Sequence, residues 1–164
     1  MPSDQWTISE EGLLALQRRE GYGKALANGS CQAYPDPILG SALLTIGYGC
    51  TNAVLSVADH IDENTVWTKE QALHKLLDVI TNIFLPCLKQ VVTVDLTSNM
   101  VDALLSFMYN IGVHNFSASS VLKYTNQQNF CAAGQSFLLW NKSGGHVVQG
   151  LVNRRQSEKV RYLT

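Results

Sequence analysis

The spacing of apolar positions predicts a chain built mainly of helices. Leu13, Leu14 and Leu16 form a helical stripe that follows Ser9, a favourable N-cap residue. The stripe ends at Glu20, directly before a glycine. A first helix is therefore predicted up to Glu20, whose carboxyl group lies at the negative end of the helix dipole. That position disfavours the ionised form and suits a general acid.

Apolar residues at helical spacing, together with capping residues, predict the helices in the rest of the chain. Thr68 and Gln71 have the spacing of a capping box, and Pro86 is expected to kink or end the helix that follows. Thr97 caps a helix that is apolar on nearly every side, as in the centre of a bundle. Shorter helices are predicted over about 118–126 and 129–140, and a final helix over about 149–163.

The helical period is lost between residues 21 and 49, where glycine and proline are frequent. The segments CQAY (31–34) and ALLTIGYG (42–49) have strand-like composition, so a small antiparallel sheet of two or three strands is predicted, joined by PDPILGS (35–41). Residues 52–66 are expected to be a loop. The fold class is α+β, mostly α, with a sheet lobe over about 21–66 and a helical lobe over about 67–164 plus the first helix. One domain with a cleft between its lobes is expected.

Composition and charge narrow the function classes. The 164 residues are 46% hydrophobic and 15% charged, as in an ordinary soluble protein. The net charge of −1 does not indicate binding of nucleic acid or of an anionic membrane. The C-terminal basic residues are interpreted mainly as a solvated helix face: Arg154, Arg155, Lys159 and Arg161.

Segments that would target or anchor the chain are not found in the sequence. No signal peptide is seen, and no apolar run reaches the roughly 18 residues of a membrane span, so export is expected to need another protein or cell rupture. The four cysteines and four histidines have no metal-ligand spacing, so neither a metal nor a cofactor is expected. Cys87 and Cys131 are expected to be buried thiols.

Glu20, Asp36 and Thr45 are the candidate catalytic residues. A carboxylic acid, a carboxylate and a hydroxyl can protonate a leaving oxygen and hold a water, as hydrolysis of a glycosidic bond requires. A surface glutamate and a turn-forming aspartate are the alternative interpretation of this pair. The surrounding motifs decide between the two.

The motifs resemble the phage-type lysozymes, the endolysin muramidases of glycoside hydrolase family 24. The resemblance runs in order over residues 8–163: EEGL and Glu20-Gly21, AYPDP, TIGYG, ALLSFMYNIG, SSVLKYTN, FLLW, and GLVNRRQSEKVRYL. It implies a lysozyme-like two-lobe fold and hydrolysis of the β-1,4 bond between N-acetylmuramic acid and N-acetylglucosamine in bacterial peptidoglycan. It also implies a cofactor-free monomer, made in the host cytoplasm, that reaches the wall through a holin or another export route.

Residue roles follow from the same resemblance. Glu20 matches the family's general acid, and Asp36 and Thr45 match the residues that position and activate water, which gives an inverting reaction. Arg154 matches an arginine that pairs with the acid. The expected substrate-binding residues are Tyr48, Gly49, Thr51, Tyr109 and Asn110.

The chain departs from the family pattern in two places. About seven extra residues, near Lys24 to Ser30, separate Glu20 from Asp36, and an insertion of that length costs little in loop entropy. Cys50 stands where the family usually has a histidine, and a disulfide with Cys31 is one possibility left open. Two other functions also stay open: a catalytically inactive module that binds peptidoglycan, and a transglycosylase that forms an anhydro sugar.

Overall fold

The computed structural model describes the backbone of residues 1–36 and 40–164 and the side chains of 1–35 and 43–164. It confirms a mostly helical α+β fold with small antiparallel sheets. The chain forms two compact units. The sheet unit contains residues 14–79, and the helical unit contains residues 1–13 and 80–164.

The sheet unit contains six short strands in two sheets. One sheet has the order β1-β2-β6, with β1 at Lys24–Ala25, β2 at Cys31–Gln32 and β6 at Val66–Trp67. The other has the order β3-β4-β5, with strands at Tyr34–Asp36, Gly40–Ile46 and Cys50–Thr51. All pairs are antiparallel. The middle of the predicted turn at 35–41, residues 37–39, lies outside the described residues.

The glycines of TIGYG allow the chain to turn between β4 and β5. Gly47 and Gly49 have φ values of 59° and 84°, a region that residues with a Cβ atom rarely adopt. A Cβ on Gly47 would also lie 3.0 Å from the Cβ of Ala72. The turn therefore lies directly against helix α2 (Lys69–Val79) of the same unit.

The capping box at the start of α2 is confirmed. Thr68 Oγ1 accepts a hydrogen bond from the Gln71 N–H, and the Thr68 N–H donates to Gln71 Oε1. After α2 a π-helical segment, Ile80–Phe84, leads into α3, Leu85–Val91. Pro86 was expected to kink or end this helix. It does not end it, because it lies in the first turn of α3, and the irregularity in the helix is the π-helical segment directly before α3.

The helical unit is built around α4, Ser98–Ile111, whose residues 101–108 are all buried. Thr97 caps α4 as predicted, since its hydroxyl accepts the Met100 N–H. The remaining helices surround this core: α5 at Val113–Ser117, α6 at Ser120–Asn126, α7 at Phe130–Phe137 and α8 at Gln149–Leu163. The phenyl ring of Phe107 on α4 contacts the rings of Phe116, Phe137 and Trp140.

A buried carboxylate connects the first helix, α1 (Glu10–Glu20), to α4 and α8. Asp102 accepts hydrogen bonds from the N–H and hydroxyl of Ser9 and from the guanidinium of Arg161. Ser9 Oγ in turn accepts the Gly12 N–H, which confirms Ser9 as the N-cap. The buried carboxylate of Asp102 thus forms an ion pair with Arg161 and also binds Ser9, the residue that caps α1.

Several short elements differ from the expectations. Strands β1 and β6, helix α5 and a hairpin of β7 (Lys142–Ser143) and β8 (His146–Val147) were not predicted. Helix α7 ends at Phe137 and not near residue 140. The expected burial of Cys131 is wrong because this thiol is exposed, and Cys87 is half-buried.

Candidate active site

Glu20 is the last residue of α1. The Gly21 N–H donates to the Gln17 carbonyl at 3.0 Å, and Gly21 then turns the chain away with a φ of 70°. Only glycine adopts that conformation readily, so the Glu-Gly pair ends the helix at a defined residue. The Glu20 side chain is half-buried, and its Oε1 atom is shielded from solvent.

Thr45 lies in the central strand of the β3-β4-β5 sheet. It is directly opposite Tyr34 on one side and Thr51 on the other. Residues opposite one another in an antiparallel pair project to the same face, so these three side chains share one face of the sheet. Thr45 and Thr51 are both half-buried.

Asp36 is the last residue of β3, and its backbone pairs with Gly40 after a register shift at Pro35. Its side chain lies outside the described residues, so its predicted role stays a prediction.

Tyr48 lies within the protein interior. Its side chain is only 5% exposed, and its ring lies 5.4 Å from that of Tyr22, tilted by 48°. Burial and, to a smaller extent, a hydrogen bond with the Cys31 thiol together raise the pKa of the Tyr22 phenol to about 12. The contact favours a packing role for Tyr48, with Tyr22 as the ring nearer to solvent.

The two cysteines of this segment are both fully buried. Cys31 is a free thiol, and its Sγ lies 3.6 Å from the Trp67 carbonyl oxygen, to which it donates. The structure therefore contains no Cys31–Cys50 disulfide. Cys50 is opposite Ile46 in the β4-β5 ladder, where its thiol belongs to the apolar interior.

A groove of about 530 Å³ begins at the residue after Glu20. It is lined by Gly21, Tyr22, Gly23, Lys24 and Tyr34. The sequence analysis missed this groove, because its residues lie on two segments whose pairing has no strong pattern. The sequence feature that could have indicated the groove is the alternation of glycine and tyrosine in EGYGK.

The remaining candidate residues belong to the helical unit. Tyr109 is half-buried against the Phe84 ring at 5.2 Å, and Asn110 is exposed. Arg155 donates from Nη2 to Asn110 Oδ1 at 2.7 Å. Because a guanidinium only donates, this bond fixes the orientation of the Asn110 amide.

Two arginines share one buried carboxylate on α8. Glu158 Oε1 accepts from Arg154 Nε at 3.1 Å and from the Ser106 hydroxyl at 2.7 Å, and Glu158 Oε2 lies 3.0 Å from Arg155 Nε. Arg155 and Glu158 are fully buried. The expected solvated face is therefore wrong for Arg155, which also stacks over the Phe107 ring at 4.9 Å. The pairing predicted between Arg154 and Glu20 stays a prediction.

A second groove, of about 380 Å³, lies within the helical unit. Asn110 and Trp140 contribute to its wall, together with Ile111, Asn115, Lys142, Ser143 and Leu151. Within the described ranges, no three His, Cys, Asp or Glu side chains are grouped closely enough to hold a metal ion. In the same residues no helix has the length and apolar character needed to cross a membrane.

Similarity to solved structures defines the class of protein. The muramidase domain of SpmX from Asticaccaulis excentricus superposes with a TM-score of 0.80 and 30% identity, covering 98% of this chain and 99% of that one. A mutant of P22 lysozyme superposes with a TM-score of 0.78 and 29% identity, covering 98% of this chain and all of that one. The fold is that of the lysozymes.

Residues 25–158 match the family described as phage lysozyme. The chain is 38% identical over 157 residues to the endolysin of Bacillus phage B103 and 32% identical over 162 residues to that of Salmonella phage P22. It belongs to the phage lysozyme family. Each alignment covers 96% of this chain, so both include Glu20, which the family match does not reach.

The relatives differ in length. The chain spans about half of the first two curated relatives, covering 54% of the B103 endolysin and 42% of the endolysin of Bacillus phage PZA. It covers 98% of the P22 endolysin. The part in common with the longer proteins is therefore the lysozyme-like part.

Proposed function

We propose that this protein is a muramidase that hydrolyses the β-1,4 bond between N-acetylmuramic acid and N-acetylglucosamine in bacterial peptidoglycan. The observation that carries the proposal is the position of Glu20, a half-buried carboxyl group at the end of α1 in a chain of the phage lysozyme family. Both units together would form one catalytic domain.

In the proposed reaction Glu20 is the general acid. It gives its proton to the glycosidic oxygen as the bond from that oxygen to the anomeric carbon breaks. A water held by Asp36 and the Thr45 hydroxyl attacks the anomeric carbon from the opposite side and loses a proton to the Asp36 carboxylate. The products are two shorter glycan chains, and no cofactor takes part in any step.

Thr45 supports this role because of its place in the sheet. As the middle residue of the Tyr34-Thr45-Thr51 row, it is paired with a strand on each side, which fixes its backbone and the sheet face to which its hydroxyl projects. A fixed hydroxyl can orient a water, whereas it has no obvious use beside a carboxylate nucleophile. We propose that Gly49 and Thr51 contact the glycan from the same segment, with Tyr109 and Asn110 on the helical unit and Arg154 supporting the acid.

The cellular setting is also a proposal. The protein would be made as a monomer in the cytoplasm of an infected bacterium and would act on the wall after release through a holin or another route. A catalytically inactive peptidoglycan-binding module is the alternative, but such a module has no need for an acid at Glu20.

Turbidity loss of permeabilised Gram-negative cells tests the proposal. Glu20→Gln keeps the shape of the side chain but cannot donate the proton, so lysis should fall by at least about 100-fold. Glu63→Gln, an exposed glutamate of the same unit, is the matched control and should lyse at the wild-type rate. A folded Glu20→Gln protein that keeps more than about a tenth of the wild-type rate would remove Glu20 from the mechanism.

A further inference from the structure

Arg155 is a buried cation that lies directly behind the wall of the groove in the helical unit. Its side chain is completely buried, yet its Nη2 atom donates to Oδ1 of Asn110, an exposed residue of that wall. At 2.7 Å the bond has the length of a charge-assisted hydrogen bond, which is roughly twice as strong as a neutral one. One side-chain pair thus connects the interior of this unit to the groove.

Three contacts fix the plane of the Arg155 guanidinium. Glu158 Oε2 lies 3.0 Å from Nε, the centroid of the Phe107 ring lies 4.9 Å from Cζ, and Asn110 accepts from Nη2. A planar group held in this way cannot rotate without losing a buried interaction. The oxygen of the Asn110 amide is therefore held against the interior of the unit.

The orientation of the Asn110 amide decides what this part of the wall offers to a ligand. A free amide on a surface can turn over and present either its oxygen or its nitrogen. With Oδ1 bonded to a buried guanidinium, the exposed part of the group is Nδ2, which carries two donor hydrogens. Asn110 therefore presents donors to the groove and requires an acceptor oxygen on the ligand.

A second amide on the same wall, that of Asn115, is oriented by a different partner. Its Nδ2 donates to the backbone carbonyl of Ile111 at 2.8 Å. Because a backbone carbonyl sets its orientation, Asn115 serves as an internal reference for any effect that Arg155 exerts through Asn110.

We propose that Arg155 is a positioning residue for the muramidase reaction, because it holds the Asn110 amide with Nδ2 toward the groove. The glycan strand then places an acceptor oxygen against that nitrogen, and the donor is already oriented before the strand binds, which lowers the entropic cost of binding. Arg155 itself touches no substrate, since its side chain is completely buried. The inference rests on the proposed function for its choice of polymer.

The first experiment observes the donor without relying on catalysis. A soluble strand of the wall disaccharide repeat is titrated into isotope-labelled Glu20→Gln protein, and the side-chain NH₂ resonances of Asn110 and Asn115 are followed by NMR. The Asn110 protons should move downfield as they bind the acceptor, and by more than those of Asn115. An Asn110 NH₂ group that does not respond at any strand concentration would overturn the proposal.

The second experiment measures whether Arg155 acts through Asn110. Arg155→Lys keeps a charge beside Glu158 but lacks the planar fork, so KM for soluble strands should rise about fivefold with kcat unchanged. The same substitution should not change KM further in an Asn110→Ala background, whereas it should keep its full effect in an Asn115→Ala background. Arg161→Lys, which alters another carboxylate-paired arginine of α8, controls for lost stability and should leave KM at the wild-type value.

Asn110→Asp tests the same donor in a protein that keeps Arg155. Its carboxylate has the shape of the amide and pairs with the guanidinium, so the melting temperature should not fall. The donor toward the groove is lost, however, and KM should rise about tenfold. A wild-type KM in this variant would overturn the proposal.

The remaining outcomes are also decisive. An effect of Arg155→Lys that persists without Asn110 would overturn the proposal, because Arg155 would then act through Phe107 and the Trp140 ring that Phe107 contacts. Failure of the wild type to cleave any strand would instead overturn the proposed function, and the NMR titration would still decide whether Asn110 is the donor.

Discussion

Cys50 is the residue beside the candidate site whose chemistry departs most from the resemblance. Its side chain is completely buried, and it is the first residue of β5, directly after Gly49. Burial disfavours a thiolate, and the proposed reaction uses an acid and a water. Cys50 is thus assigned to packing and not to chemistry.

Replacement of Cys50 tests that assignment. Cys50→Ser should lower the free energy of unfolding by about 1–3 kcal/mol, because a hydroxyl replaces a weakly polar thiol in the interior. Lysis per folded molecule should stay at the wild-type level. Denaturant unfolding and the turbidity assay measure the two effects, with Cys50→Ala as the control that adds no polar group. A folded but inactive Cys50→Ser protein would contradict the assignment.

The position of a single residue in the fold was predictable where it depends on neighbouring residues in the sequence. The position of Glu20 at the end of a helix was predicted correctly because a glycine follows it, whereas the catalytic roles of Glu20 and Thr45 stay predictions. The groove at Tyr22 and Lys24 was missed because its lining also includes Tyr34, which lies on a separate strand. Arg155 was misjudged because a hydropathy pattern scores charged residues as exposed, although here Arg155 and Glu158 neutralise each other inside the protein.

The junction of α1 with α4 permits little change at Gly12. A Cβ at this position would lie 2.4 Å from both Cγ and Oδ1 of Asp102, whose carboxylate is held by Ser9 and Arg161. Because those partners fix the carboxylate, it cannot move aside at low cost.

Gly12→Ala should therefore destabilise the protein by about 1–3 kcal/mol or more, the usual cost of overpacking. Gly150→Ala, on α8, is the matched control because a Cβ there meets no atom within 4 Å. It should be neutral or should stabilise by up to about 1 kcal/mol through the higher helix propensity of alanine. Thermal unfolding of both variants decides the comparison, and equal melting temperatures would contradict the described contact.

A surface ion pair connects α2 to the 3₁₀ turn at Val57–Asp59. Lys75 and Ser56 donate hydrogen bonds to the Asp59 carboxylate, and these bonds lower the pKa of Asp59 below its ordinary value of about 3.8. A lowered pKa in the folded state means that the stabilisation is present above pH 3.8 and is lost as the pH falls through the folded-state pKa.

Lys75→Gln should therefore cost about 0.5 kcal/mol at neutral pH, a typical value for a partly exposed pair. The difference from wild type should disappear in acid, below the pKa of Asp59 in the folded protein. Urea unfolding at several pH values measures it, and Lys69→Gln controls for the loss of one positive charge. A pH-independent difference would show that Lys75 acts through packing alone.

The elements differed in how well the sequence predicted them. The caps at Ser9, Thr68 and Thr97 were each confirmed, because capping depends on residues only three apart. Two-residue strands such as Val66–Trp67 lack enough positions for an alternating pattern, so they were missed. Of the two outcomes expected at Pro86, a helix end was wrong, because sequence does not tell whether a proline interrupts a helix or lies in the first turn of the next one.

The stereochemical course is a property of the assembled site. If Asp36 and Thr45 hold a water, the carboxyl groups of Glu20 and Asp36 should lie about 6.5–9.5 Å apart, and the reaction should invert the anomeric centre. The first product from a β-linked glycan would then be the α-anomer. Proton NMR of the initial product from a soluble strand measures this directly.

The opposite result has a specific meaning. An initial β-anomer, or a glycosyl group trapped on Asp36, would make Asp36 a nucleophile and require carboxyl groups about 5–5.5 Å apart. An anhydro sugar would instead identify a transglycosylase. The overall fold was predictable from motifs in order along the chain, whereas this distinction depends on a separation that no residue spacing encodes.

The shared carboxylate of Glu158 also constrains how this protein can evolve. Loss of Glu158 alone would break its buried ion pair with Arg155, a change that typically costs about 3–5 kcal/mol out of a total stability of about 5–15 kcal/mol. Loss of Arg155 first would leave the carboxylate with Arg154 and free the amide of Asn110 to rotate. Descendant sequences should therefore keep the three charged residues together or replace them jointly by apolar residues, so these positions are expected to covary within about one turn of one helix.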